Sequence, residues 1–227
     1  MDYTYKQIEE LIGRLHGVHP DRRVALLGRI KHFQRLGWPE GSNVGKGTRV
    51  RYDTRRTLSL VIAFELLDVG VTPDRAVALL RSHLTIFPVS FLAALRAYRG
   101  TLGAVQISDA KIDGKDVKSY FGGEGDALLV ISPSSMRYLK WAHDDERERL
   151  GEASFLTSEP ELIASFLRSS NLRQAAVLNI SILIADFVEV ARSLGPVDLS
   201  EVEEDLQKWV DDLHIKLELE FHEHSQT

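Results

Sequence analysis

From residue 5 to residue 16 the apolar positions fall at Ile8, Leu11, Ile12 and Leu15, a three-and-four spacing that lays one stripe along a helix. Gly17 and Pro20 then break the chain in a short turn. A second helix is expected from Asp21 to Leu36, with Val24, Leu27, Ile30 and Phe33, flanked by Leu26 and Leu36, as its apolar stripe. Arg22, Arg29, Lys31 and Arg35 fall largely off that stripe, free to face a ligand. In "VGKGTRVRYD" (44–53), Val44, Thr48, Val50 and Tyr52 alternate around glycines, which predicts a small two-stranded hairpin. A third helix follows over about 54–69, apolar nearly all round and therefore central. Thr72-Pro73 opens a fourth, 73–83, and "PVSFLAALRAYR" predicts another over 88–99 that stops at Gly100.

The texture changes between Gly100 and Gly103, where a domain boundary is expected. "AVQIS" (104–108), "DALLVIS" (126–132) and "AAVLNIS" (175–181) read as short, largely buried strands, with a turn-rich connection after the first. Helices are expected at 135–150, 158–168 and 183–194, the second opened by the capping box Ser158-x-x-Glu161. A last helix begins at Ser200 with a similar box to Glu203. Its Leu199, Val202, Leu206, Trp209 and Leu213 form a stripe that suits either a dimer seam or a helix folded back on its own domain. Ile215, Leu217, Leu219 and Phe221 alternate strictly, so 214–222 reads equally as strand or as continued helix. The fold class is α+β and mainly helical, with one small sheet in the second half.

Composition narrows the function. The 227 residues are 44% hydrophobic and 27% charged, ordinary for a globular protein. With no cysteine, disulfides, thiol nucleophiles and Cys-based zinc sites are excluded. No apolar run approaches the ~20 residues of a membrane span, and the polar start is no signal peptide, so no membrane partner and a cytoplasmic location are expected. The net charge of −5 conceals an asymmetry. Residues 1–100 hold 16 Lys and Arg against 9 Asp and Glu, a net of +7, whereas 101–227 hold 12 against 24, a net of −12. Such a division suggests a polyanion-binding domain joined to a half that meets a protein partner or a small ligand.

The basic segment invites a nucleotide reading that its spacing defeats. A phosphate-binding loop needs G-x-x-x-x-G-K-[ST]. Here Gly41 and Gly45 enclose three residues, and Lys46 precedes Gly47. "SDAK" (108–111) matches an acylating S-x-x-K without its companion motifs. "HDDE" (143–146) and "HEH" (222–224) read as solvated charge, His16 and His19 as helix-end residues, and Trp38 as core. Arg14, Arg75 and Arg96 suit surface ion pairs. No nucleophile, base and orienter can be assembled, so neither catalysis nor a metal or other cofactor is expected.

The order helix, turn, helix, basic hairpin, helix, helix resembles a MerR-type winged helix-turn-helix over roughly residues 5–83. In that family the second helix ends in a run similar to Ile30-Lys31-His32-Phe33-Gln34-Arg35-Leu36-Gly37-Trp38, and the wing ends in arginines and a tyrosine, as "TRVRY" (48–52) does. "DVG" followed by "VTPDRAVALL" continues the likeness to Leu80. About seven extra residues, "PDRRVAL", lengthen the start of the second helix, and Pro88 interrupts the place of the family's long dimer helix. The resemblance implies a winged helix-turn-helix domain over 1–100, an α+β domain over 104–227, and a sequence-specific, homodimeric regulator that binds duplex DNA. Arg22, Arg23, Arg29, Lys31 and Arg35 on the second helix, and Lys46, Arg49, Arg51, Tyr52, Arg55 and Arg56 on the wing, are the expected DNA contacts. The other reading is a protein-interaction or architectural module without base readout.

Overall fold

The computed structural model describes residues 1–42, 50–82, 86–101, 105–112, 115–121, 126–131, 154–169 and 175–224. The fold is mainly helical α+β with small antiparallel sheets. Its described helices are α1 (Tyr5–Leu15), α2 (Arg23–Arg35), α3 (Thr54–Asp68), α4 (Pro73–Ser82), α5 (Ile86–Arg99), α6 (Pro160–Ser169), α7 (Ile180–Leu194) and α8 (Leu199–His224). The strands are β1 (Asp2–Tyr3), β2 (Tyr52–Asp53), β3 (Val105–Ile112), β4 (Lys115–Phe121), β5 (Leu128–Ile131), β6 (Ser154–Thr157) and β7 (Ala176–Asn179). The chain forms two compact units, each drawn from separate stretches. The first gathers Met1–Ser82 with Ala185–Val202, and the second gathers α5, the strands β3 to β7, α6 and the chain from Glu203 onward. These units are not the contiguous halves expected from the change of texture near residue 100, since α5 packs on β3 and β6.

In the first unit, a capping box starts α1: the Thr4 hydroxyl accepts from Gln7 N, and Thr4 N donates to Gln7 Oε1 at 3.0 Å. Ile8, Leu11 and Ile12 are fully buried, as their spacing requires. The second helix departs from expectation at its start. Pro20–Arg22 form one 3-10 turn and the α-helix begins only at Arg23, so Asp21 is not its cap. The buried positions are Leu26, Ile30 and Phe33, at i, i+4 and i+7, while Val24 is 82% exposed and not part of the stripe. Phe33 meets Phe64 at a tilted 5.6 Å, a geometry worth about 0.5–1.5 kcal/mol beyond its area. At its end, α2 passes into Gly37 at φ +72, and Arg81 Nη2 donates to the orphan Leu36 carbonyl at 3.0 Å. Trp38 is core, its Nε1 donating to Ser59 O at 2.9 Å.

The strand pair in this unit joins β1 to β2, antiparallel, with Asp2 opposite Asp53 and Tyr3 opposite Tyr52. The expected hairpin within 44–52 lies mostly outside the described residues; the described partner of Tyr52-Asp53 is the N-terminal strand instead. Asp53 then caps α3, its Oδ1 accepting from Arg56 N at 2.8 Å. From Thr57 through Phe64 every residue of α3 is buried, which explains its lack of a polar face.

In the second unit, α5 starts two residues earlier than expected. Pro88 sits in its first turn, where a missing N–H costs nothing. Arg96 is half-buried, with Nε 3.0 Å from Glu203 Oε1 and Nη2 2.9 Å from Gln207 Oε1; Arg99 pairs with the same Glu203. β3 and β4 form a hairpin that reaches through residues expected to be loop, and "SDAK" lies within β3. The three-stranded sheet runs β6-β5-β7, entirely antiparallel. Asn179 ends β7 and caps α7, its Oδ1 accepting from Ile182 N at 3.0 Å and its Nδ2 donating to Asp126 at 2.7 Å. The expected helix over 135–150 lies outside the described residues. The cap of α8 is Asp198, whose Oδ1 accepts from Ser200 N at 2.8 Å, so the helix starts one residue before the expected Ser200 box. It continues as helix through His224, which resolves the 214–222 ambiguity.

Candidate nucleic-acid interface

At about 100° per residue, Leu26, Ile30 and Phe33 define the buried side of α2. Val24, Gly28, Lys31 and Arg35 fall within about 60° of one another on the opposite side, and all four are exposed. Among the described residues Arg22, Arg29, Lys31 and Arg35 have no ion-pair partner. Arg29 lies on the flank of this face, closer to the core than Lys31. Arg23 is drawn the other way, its Nη2 2.5 Å from Glu10 Oε2, while Arg14 Nε holds the other oxygen at 2.7 Å. The Arg14 hydrogen bond, then the Arg23 contacts, hold the Glu10 carboxyl below its ordinary range. Arg23 is therefore tied to α1 rather than offered outward.

Gly28 stands out on this face. A glycine in a helix interior costs about 0.5–1 kcal/mol relative to alanine. An added Cβ would meet nothing within 4 Å. Packing inside the chain does not explain it.

The basic segment splits into residues with different duties. Lys46 and Arg49 lie outside the described residues. Arg51 is exposed, 3.5 Å from Asp2, a pair worth little that leaves its cation exchangeable, and Arg55 is 3.4 Å from Glu40. Arg56 is held by residues that precede and follow the segment 43–49. Its Nε donates to Glu40 O at 3.1 Å, and its Nη1 donates to Arg51 O at 3.4 Å and to Asp53 Oδ2 at 3.3 Å. It joins the chain entering the basic segment to the chain leaving it. Tyr52 is corrected outright: its side chain is fully buried, its hydroxyl accepts from Gln34 Nε2 at 2.8 Å, and burial raises its pKa. A residue with no exposed surface cannot touch DNA, so Tyr52 registers β2 against α2 instead.

A titratable cluster forms where the end of α1 meets α3, a grouping that the spacing of its residues along the chain does not reveal. The His16 side chain, 6% exposed, lies with Nδ1 2.8 Å from Asp68 Oδ2 and 3.8 Å from Glu65 Oε1, its ring against Phe64. Burial raises the Glu65 pKa; His16 opposes the shift, and Asp68 and Asp186 add to it. His19, by contrast, is exposed. Among the described residues no group of three or more His, Asp or Glu is arranged to hold a metal ion. "HDDE" lies outside them, as do the side chains of "HEH". No single described helix is long and apolar enough to cross a membrane.

Of the stripe on α8, Val202, Leu206, Trp209 and Leu213 are buried, as is Val210, whereas Leu199 is half-buried. As far as Leu213 this burial lies within the single chain.

Compared with family models, curated proteins and solved structures, the chain matches none.

Proposed function

We propose that this chain is a sequence-specific DNA-binding transcriptional regulator of MerR-like, winged helix-turn-helix type. In this reading α2 enters the major groove, and the basic segment 44–56 lies along the phosphates. One observation carries it: Lys31 and Arg35 stand on the face of α2 opposite its buried side, exposed and without an ion-pair partner among the described residues. A helix fits the major groove, and a Lys or Arg there can donate to guanine O6 and N7. In this reading Arg22, Arg29, Arg51 and Arg55 hold phosphates, which fixes register without reading sequence.

The charge division supports the same reading. Residues 20–60 alone hold 10 Lys and Arg against 3 Asp and Glu, a local excess of positive charge that attracts a polyanion. The reading includes a homodimer, because paired half-sites give a single helix-turn-helix enough contacts for specificity. Selection of bound sequences from random duplex DNA by the full-length protein is the test. Recovery of a defined, two-fold related motif supports the proposal, and recovery of unenriched sequence rejects it.

A further inference from the structure

Val24 and Gly28 share the outward face of α2 with Lys31 and Arg35, yet neither serves the fold. Val24 is 82% exposed, and Gly28 faces open space. A single exposed valine is unremarkable on its own. Here it lies one helical turn from an unexplained glycine and in line with two cations lacking a partner among the described residues. Arg23, its neighbour, is turned back to Glu10. The first turn of α2 therefore presents an apolar side chain where the following turns present a bare backbone and then charge.

Resting on the proposal that α2 reads the major groove, we infer that Val24 and Gly28 are specificity-determining residues that select a thymine. The thymine C5-methyl is the apolar feature of the major groove, and Val24 packs against it. Gly28 lets the helix backbone lie closer to the base edges than any side chain would allow. The seven residues from Val24 to Lys31 rise about 10 Å, so this thymine lies about three base pairs from the base that Lys31 contacts.

The experiment replaces each thymine of the selected duplex, one at a time, with deoxyuridine, which lacks only the methyl. The full-length protein, Val24→Ala and Gly28→Ala are titrated against the series. One deoxyuridine weakens the wild type by about three- to fivefold, the expected loss for one buried methyl. Val24→Ala binds that duplex and its thymine parent equally. Gly28→Ala melts at a higher temperature as free protein but binds the selected site at least about tenfold more weakly. If no deoxyuridine matters, if Val24→Ala keeps the penalty, or if Gly28→Ala binds like the wild type, the inference is overturned while the proposed function stands. If no duplex is bound above random sequence, both fall together.

Discussion

The guanidinium of Arg56 fills the space that a side chain at residue 41 would need: a Cβ on Gly41 would lie 2.6 Å from Arg56 Nη2. Gly41 also sits at φ +73, a conformation that L side chains adopt with strain. The same guanidinium holds the Glu40 and Arg51 carbonyls. Gly41→Ala should therefore cost about 1–3 kcal/mol of stability. In a double-mutant cycle with Arg56→Ala the two losses should not add, because removing the guanidinium relieves the collision but not the strain at φ. Denaturant titration of the four proteins measures this; strict additivity would separate the two residues.

Tyr52 and Arg51 are adjacent in sequence and opposite in duty. Tyr52→Phe deletes the bond from Gln34 and should cost about 0.5–1.5 kcal/mol of stability, with DNA affinity unchanged at a temperature where both proteins are folded. Arg51→Ala should do the reverse, leaving stability within about 0.5 kcal/mol and weakening binding to all sequences by a similar factor. Equal DNA affinity for Arg51→Ala and wild type would remove Arg51 from the interface.

Glu65 makes the stability of the first unit depend on pH. Burial raises its folded pKa above the ordinary 4.5. The folded state then binds the proton more tightly than the unfolded state does. The associated stability is fully present below about pH 4.5 and is lost as pH rises through the raised value. Glu65→Gln has no proton to lose, so the stability gap between variant and wild type should change across that window and level off above it. Thermal melts from pH 4 to pH 8 test this; a gap independent of pH would show that Glu65 is not the group responsible.

The α8 stripe bears on the proposed dimer. Because Trp209 and Leu206 are buried in the chain's own fold, Trp209→Ala should cost about 3–5 kcal/mol. Deleting 199–227 should unfold the protein rather than merely separate two subunits. Sedimentation together with circular dichroism distinguishes the outcomes. A truncated chain that stays folded but loses only self-association would mean that the stripe pairs copies after all.

Periodicity reveals an element where burial is one-sided or complete, as in α1 and α3. It misleads where two spacings coexist. Val24, Leu27 and Ile30 mark one stripe and Leu26, Ile30 and Phe33 another, and only tertiary packing on α1 and α4 selects the second. The two-residue strand β1 is too short to carry any pattern; the alternation that marks the start of β3 is broken after Ser108, and β4 is largely polar. The candidate interface was legible as a basic, glycine-rich stretch after an amphipathic helix. Its division into exposed Arg51, clamping Arg56 and buried Tyr52 was not, because that depends on which side chain the Glu40 turn and Gln34 meet in three dimensions.

The central claim is that the basic face of this chain binds duplex DNA, and salt dependence tests it most directly. Full-length protein is titrated with its selected duplex and with random duplex between about 50 and 200 mM salt. About four phosphate contacts predict a slope of log affinity against log salt of about −3 to −4 for the selected duplex. Affinity for random duplex should fall with salt as well but remain weaker throughout. A flat response, or equal affinity for the two duplexes at every salt concentration, would contradict the account.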